Sequence, residues 1–238
     1  MFNLTQSLVA DQPERRNTIS AKAGVELREA IITGRIKPGA GLSETDVAQS
    51  LGISRTPVRE AFARLFDEGL IEISPQTGTR VSLIDMERVR EAIFIRSALE
   101  SAVVAGGVGK PDEGVLDELE LILRAQERSR DSNDMGALHR ADMAFHAGLM
   151  NAFSVPRAWT ACQHVSADLM RVQFLLGLEP VHIAAIVSEH RAILDTVRQH
   201  DFASASKLLA DHINHVNIDQ DELRASHGEF FRVTENLQ

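Results

Sequence analysis

The chain has 238 residues, of which 44% are hydrophobic and 25% charged, and its formal net charge is −9. The length suits two domains with separate cores, and no run of about 18 apolar residues suggests a membrane-spanning helix. Cys162 is the single cysteine, which excludes an intrachain disulfide. Because the N-terminus also lacks a basic segment followed by an apolar run, we expect no secretory signal and a cytoplasmic protein.

The acidic charge is unevenly distributed. Residues 21–82 carry eight basic and eight acidic side chains and residues 1–20 carry two of each, so residues 83–238 hold the whole excess of nine acids. An N-terminal module of zero net charge would bind nucleic acid only through a local basic patch.

At the start of the N-terminal third, the apolar residues follow no regular spacing. Residues 1–20 show no apolar periodicity and are predicted to be a mobile arm. A helix is predicted over 25–33, ended by Gly34. Its predicted buried residues are Val25, Leu27, Ala30 and Ile31.

Two short helices joined by a turn follow. The first is predicted over 44–51, Gly52 supplies the turn, and the second runs over 55–68, with Ser54 as the N-cap whose hydroxyl accepts a backbone N–H. Helical spacing predicts that the second helix buries Val58, Ala61, Phe62, Leu65 and Phe66.

Arg55, Thr56 and Arg59 crowd the first turns of this second helix. Cations there oppose the helix dipole, so local stability does not explain them. A recognition helix that enters the major groove would use them on bases and phosphates. The alternative is a small helical subdomain with a solvated arginine face.

After this helix, apolar residues recur at every second position instead of at helical spacing. Ile71 and Ile73, a polar turn over 75–79 and Val81 predict a β-hairpin, the wing of a winged helix-turn-helix.

These motifs resemble the GntR family of bacterial transcriptional regulators. The resemblance covers residues 25–81 and is carried by GRIKPG, LSETDVAQSLG and SRTPVREA. It implies that Arg55 and Arg59 contact bases or phosphates, that Thr56 contacts phosphate with Ser54 beside it, and that Gly78 lets the wing approach the minor groove. Some relatives carry an arginine where Thr45 stands, so one DNA contact differs here.

The rest of the chain is predicted to be helical. A linker over 83–87 leads to a second domain over 88–226, followed by a frayed tail over 227–238. The predicted fold is mainly α: an N-terminal winged helix-turn-helix and a C-terminal bundle of six to seven helices. The predicted helices are 86–106, 112–131, 135–152, 155–176, 180–199, 201–217 and 219–225.

One carboxylate and three imidazoles in this second half share an apolar helical context. Asp142 and His146 are four residues apart and so lie on one helix face. Antiparallel helices could bring His190 and His212 to the same point. This donor set suits a divalent transition metal such as Zn, Ni, Mn or Fe(II). The alternative is that these are core histidines without a metal.

Residues 89–215 resemble the FCD effector domain of the FadR-type branch of the same family. The matching segments are IRSALE, HRADMAFH, SEHRAILDTVRQHD and ASKLLADHINHV. The resemblance implies that Asp142, His146, His190 and His212 bind the metal, with His215 a weaker alternative. Many relatives have Asn where Val155 stands, which alters a loop.

Arg96 and Arg171 lie among apolar neighbours. A guanidinium holds a carboxylate through paired hydrogen bonds, so both are predicted to bind a small organic acid beside the metal. Alternatively, each pairs with an acid of its own domain, and Glu100, one turn after Arg96, is the obvious partner.

Together these features predict a homodimeric, ligand-responsive transcriptional regulator that binds a palindromic operator and responds to a small carboxylate. A regulator that senses the metal itself is an alternative. A metal-dependent enzyme with a DNA-binding appendage is disfavoured, because no general base or nucleophile motif accompanies the ligands, and the chain is predicted not to be an enzyme. The sequence leaves the effector, the operator, and repression or activation open.

Overall fold

The computed structural model describes residues 13–76, 78–107, 109–132, 134–176, 180–214 and 220–233. Within these ranges the fold is mainly α with one small sheet, as predicted. The strands are β1 (Gly41–Leu42), β2 (Ile71–Ser74) and β3 (Gly78–Val81). The helices are α1 (Pro13–Ile32), α2 (Glu44–Leu51), α3 (Arg55–Asp67), α4 (Met86–Ala102), α5 (Glu113–Ser132), α6 (Met135–Ala152), α7 (Pro156–Val165), α8 (Ala167–Leu175), α9 (Pro180–Arg198), α10 (Phe202–Asn214) and α11 (Gln220–His227).

The chain divides into two compact units. The first comprises Met1–Met86, Met170–Leu175 and Gln220–Gln238, and the second comprises Glu87–Leu169 and Leu176–Asp219. The second unit is therefore not the continuous segment 88–226 that the sequence predicts, because parts of α8 and the C-terminal segment belong to the first unit.

The first unit contains the predicted helix-turn-helix. Ser43 caps α2 by accepting a hydrogen bond from the Asp46 backbone N–H at 3.3 Å. Gly52 ends α2 with φ 67°, a left-handed conformation that glycine adopts at no steric cost. Helix α3 then begins at Arg55, and its fully buried Val58, Ala61 and Leu65 pack toward α1.

The wing is a hairpin completed by a third strand. In the sheet order β1-β3-β2 every pair is antiparallel, and Ile71 faces Val81 across the hairpin. Strand β1 has two residues, too few to show alternation in the sequence.

Helix α1 begins at Pro13, so residues 13–20 are helical rather than part of a mobile arm. Ile19 and Ser20 are buried. The Ser20 hydroxyl donates to the Pro57 carbonyl at 3.3 Å, and Arg64 Nη2 donates to the Ser20 carbonyl at 2.6 Å. These contacts, to residues about forty positions away, explain a helix that local periodicity does not indicate. The first twelve residues of the predicted arm lie outside the described part of the chain.

Three local predictions were wrong. Val25 is 66% exposed, because α1 buries the face of Ala23 and Leu27, and a residue two positions from both points away from that face. Phe66 is 50% exposed at the edge of the buried face of α3. Ser54 is at the N-cap position, but its side chain makes no capping hydrogen bond.

The C-terminal tail was also predicted wrongly, because part of it is ordered within the first unit. A 3₁₀ turn covers Gly228–Phe230, and Phe231 forms a parallel bridge with Ile84. The Ile84 N–H donates to the Phe230 carbonyl at 2.9 Å, and the Arg232 N–H donates to the Ile84 carbonyl at 2.8 Å. Phe231 is 4% exposed and Ile84 fully buried, so burial of both side chains holds this segment.

The second unit is a helical bundle in which α5, α6, α9 and α10 surround one apolar core. Helices α5 and α6 pack closely, since a Cβ atom on Gly148 would lie 2.7 Å from Leu119 Cδ2. The single helix predicted over 155–176 is instead α7 and α8, separated at Ser166, whose hydroxyl donates to the Cys162 carbonyl at 2.6 Å. The core includes Leu116, Leu119, Leu123, Phe145, Leu149, Ile193, Leu194, Val197, Leu209 and Ile213.

Candidate functional site

The N-terminal turns of α3 present a polar surface. Ser54, just before the helix, and Arg55, Thr56 and Arg59 within it are all exposed. Both arginines pair with Glu44 of α2, with N–O distances of 3.2 Å for Arg55 and 3.7 Å for Arg59. Exposed ion pairs of this kind contribute about 0–1 kcal/mol, so a DNA phosphate or base could replace Glu44 at little cost.

Gly78 opens β3 with φ 76°, a conformation in which any other residue is strained. It is exposed, and apart from the glycine and its chain neighbours no atom of the described residues lies within 4 Å of the position that a Cβ would occupy. The wing therefore offers open backbone here, in keeping with the predicted approach to a groove. The DNA roles of Gly78 and of Ser54, Arg55, Thr56 and Arg59 stay predictions.

The four predicted metal ligands converge inside the second unit. Asp142 and His146 lie one turn apart on α6, His190 on α9 and His212 on α10. One ligand atom from each lies within 4.8 Å of the others. His190 Nε2 is 3.0 Å from His212 Nε2 and 3.6 Å from Asp142 Oδ1. His215, the alternative ligand, lies outside the described residues.

Each of the three imidazoles has a hydrogen-bond partner at its other nitrogen. His146 Nδ1 is 2.6 Å from Glu100 Oε2, and His212 Nδ1 is 2.6 Å from Glu189 Oε2. The third partner is an amide, with His190 Nδ1 lying 3.0 Å from Gln126 Oε1. Partners of this kind fix the ring orientation and direct the Nε2 lone pair at a metal.

The Nε2 atoms fit a cation. If His190 and His212 both donate from Nδ1, their Nε2 lone pairs face each other at 3.0 Å and repel unless a positive charge lies between them. Burial, with the neighbouring His212 and His146, holds the pKa of His190 well below its usual value. A second proton on His190 is thus disfavoured, and when both rings donate from Nδ1 a metal ion satisfies the two Nε2 lone pairs. The residues present accordingly fit a divalent transition metal.

Arg96 is linked to this cluster through Glu100. Arg96 Nε donates to Glu100 Oε1 at 2.8 Å, while the other carboxylate oxygen faces His146. Burial raises the pKa of Glu100, but the charges and hydrogen bonds of His146 and Arg96 outweigh it and lower the pKa to about 2. The ion pair between Arg96 and Glu100, which the sequence offered as an alternative to effector binding, is therefore present.

That pair leaves part of the Arg96 guanidinium unused. Arg96 is 4% exposed, and its Nη2 has no hydrogen-bond partner among the described residues. The guanidinium carbon lies 5.5 Å from the ring centre of Trp159, which also stacks on His146. A buried, unpaired charged donor is costly, which marks Nη2 as a candidate contact for an external anion.

Arg171 lies elsewhere. It belongs to the first unit, where its Nη2 donates to the Ser82 carbonyl at 2.6 Å and its side chain is buried. The two predicted effector-binding arginines thus fall in different units, and only Arg96 shares a unit with the metal-ligand cluster.

Sequence reasoning missed two of the partners around the cluster. Glu100 was indicated by its spacing from Arg96. Glu189 precedes His190 in the chain but pairs with His212, and Gln126 lies 64 positions from His190. No local pattern marks Gln126, whose role appears only when α5 packs on α9.

Family models match both units. The model for bacterial regulatory proteins of the gntR family matches residues 19–81, and the FCD domain model matches residues 91–215. The chain belongs to the GntR family, with an FCD domain. It is a transcriptional regulator of that type.

Individual proteins that are similar to this chain support the same family assignment. An HTH-type transcriptional regulator in an unstable DNA locus of Streptomyces ambofaciens is 35% identical over 87% of either chain. The HTH-type transcriptional repressor RspR of Escherichia coli is 28% identical over 86% of this chain and 90% of its own. The structure of McbR/YncC from E. coli is similar in fold, with a TM-score of 0.73 at 22% identity, covering 82% of this chain and 93% of that one. Among the residues that the structure describes, every helix is too short or too polar to span a bilayer.

Proposed function

We propose that this GntR regulator is a cytoplasmic, homodimeric repressor whose DNA binding responds to a small organic acid held at a metal ion. The repressor role rests on the name of the relative RspR. The observation that carries the effector site is the convergence of Asp142, His146, His190 and His212 within 4.8 Å, beside a buried arginine.

The first unit binds operator DNA through α3 and the wing. Arg55 and Arg59 leave Glu44 and contact bases or phosphates, Ser54 and Thr56 contact the backbone, and Gly78 approaches the minor groove. Because the module carries no net charge, a single copy binds weakly, and two copies in a dimer would read the two halves of a palindrome.

The second unit holds the metal and the effector. Asp142 and the three Nε2 atoms hold the ion, which supplies Lewis acidity toward a carboxylate oxygen when bound. Arg96 orients that carboxylate through Nη2, while its Nε remains on Glu100. The Glu100 carboxylate contacts both Arg96 and His146. A shift of Arg96 toward the effector is therefore transmitted through Glu100 to His146, one of the proposed metal ligands. For Arg171 the effector role stays a prediction, with its Nη2 engaged by Ser82.

The DNA part is tested by Arg59→Ala in a gel-shift titration at fixed salt, with DNA from the promoter region of the protein's own gene. We expect operator affinity to fall by about 1–3 kcal/mol if the contact is to a base. Arg35→Ala is the matched control, because Arg35 is another partly exposed arginine of the first unit, paired with Glu26. Wild-type binding by Arg59→Ala would contradict the proposed surface.

The effector part is tested by thermal shift with a panel of hydroxy, keto and sugar acids on metal-loaded protein. Acids that stabilise the wild type should lose their effect in Arg96→Lys, which keeps the charge but not the forked donors. An equal shift in both proteins would exclude Arg96. If metal alone switches DNA affinity and no acid does, the protein senses the metal itself.

A further inference from the structure

The three histidines of the proposed metal site differ in the partner that their Nδ1 atoms face. His146 and His212 each face a glutamate at 2.6 Å, while His190 faces the Gln126 amide at 3.0 Å. An ionised carboxylate only accepts, so it holds its histidine with the proton on Nδ1. An amide accepts through its oxygen or donates through its nitrogen, so it serves either tautomer of His190.

The Nε2 atom of His190 requires a different tautomer in the empty site from the one it requires in the loaded site. His190 Nε2 lies 3.0 Å from His212 Nε2, whose proton is kept on Nδ1 by Glu189. Without a metal, this distance is favourable only if His190 carries its proton on Nε2 and donates it to His212. With a metal, both Nε2 atoms must offer lone pairs. The empty and loaded sites therefore require opposite tautomers of His190.

We propose that Gln126 is a positioning residue that lets His190 change tautomer as the metal binds and leaves, an inference that rests on the proposed metal site. His190 carries one proton in both states, on Nε2 in the empty site and on Nδ1 in the loaded one, so its charge is unchanged. The amide turns by half a turn, and Oε1 replaces the NH₂ group as the partner of Nδ1.

No second hydrogen bond of the Gln126 amide among the described residues opposes this rotation. Gln126 is fully buried, and its Nε2 has no hydrogen-bond partner among the described residues. Turning the amide therefore breaks only the bond to His190, and oxygen and NH₂ occupy similar volumes.

The exchange has a consequence for the bundle. In the empty site the hydrogen bond from His190 to His212 joins α9 and α10. A glutamate in place of Gln126 would hold the lone pair on Nε2 permanently, which favours the loaded site and leaves two lone pairs opposed in the empty one.

The direct test is the tautomer of His190 in the full-length wild-type protein, measured by long-range ¹⁵N–¹H NMR after chelation and after loading with Zn²⁺. We expect the proton on Nε2 in the empty protein and on Nδ1 in the loaded one, while His146 and His212 carry it on Nδ1 in the loaded protein. A proton on His190 Nδ1 in both states, with zinc bound, overturns the inference and leaves the metal site standing. Failure of the wild type to bind zinc overturns both.

Zinc affinity of a matched pair of variants provides a second readout. Gln126→Glu should bind Zn²⁺ about tenfold more tightly, and Glu189→Gln, the reverse exchange on His212, about tenfold more weakly. Circular dichroism checks that each variant folds. Folded Gln126→Glu with wild-type or weaker affinity contradicts the proposed role of the amide. If Gln126→Glu does not fold, the NMR measurement of the His190 tautomer in the wild-type protein decides whether the inference stands.

Discussion

Glu100 offers the sharpest test of the buried network, because one carboxylate is shared by Arg96 and His146. Its pKa is about 2 in the folded protein against 4.5 for an ordinary glutamate. Each pKa unit corresponds to about 1.4 kcal/mol, so the ionised form contributes about 3 kcal/mol to folding at pH 7. Glu100→Gln keeps the shape and removes the charge, and we expect the free energy of unfolding to fall by that amount.

The pH dependence follows from the direction of the shift. Because the folded pKa is depressed, the contribution is fully present above pH 4.5 and is lost as the pH falls from 4.5 toward 2. The gap between wild type and Glu100→Gln should therefore close over that window. The assay is urea unfolding of metal-free protein, followed by circular dichroism at several pH values.

Glu91→Gln is the matched control for this experiment. Glu91 lies on the same helix as Glu100 but is exposed, so its loss should change the free energy of unfolding by less than about 0.5 kcal/mol. If Glu100→Gln behaves like this control at pH 7, the carboxylate does not hold Arg96 and His146 as described.

Three further predictions concern the first unit. Ser43→Ala removes the cap of α2 and should lower the free energy of unfolding by about 1 kcal/mol; an unchanged urea midpoint would mean that the cap is not formed. Phe231→Ala removes a buried ring against Ile84 and should cost about 3–5 kcal/mol and expose the segment after α11 to protease, whereas wild-type resistance would place the ring outside the core. Glu44→Ala frees Arg59 and should strengthen binding to DNA of random sequence at low salt, with the gain vanishing at high salt; a gain that salt does not remove would have another cause.

The helices were largely predictable, because their apolar faces repeat at helical spacing. The predicted bounds of α2, α3, α5, α6, α9 and α10 lie within a few residues of the observed ones. The start of α1 was missed, since Ser20 is buried through Pro57 and Arg64, which local periodicity does not report. The ordered segment around Phe231 was missed for the same reason, because its partner Ile84 lies far away in the chain.

The convergence of the four side chains was predictable from the sequence, but their hydrogen-bond partners were not. Asp142 and His146 share a helix face by spacing, the apolar helical context indicated His190 and His212, and the family resemblance supported all four. Gln126 follows from no motif, because only the packing of α5 on α9 brings it to His190. The division of Arg96 and Arg171 between the two units was equally hidden, since both arginines look alike in their apolar helical surroundings.

The proposed effector site requires a metal ion among the four converging side chains. Elemental analysis of purified, untagged protein tests this directly, with wild type measured beside His190→Ala and the exposed-histidine control His164→Ala. We predict about one transition metal per chain in the wild type and in His164→Ala, and none in His190→Ala. No metal in any of them after incubation with Zn, Ni and Mn would contradict the metal site and identify the three imidazoles as core residues.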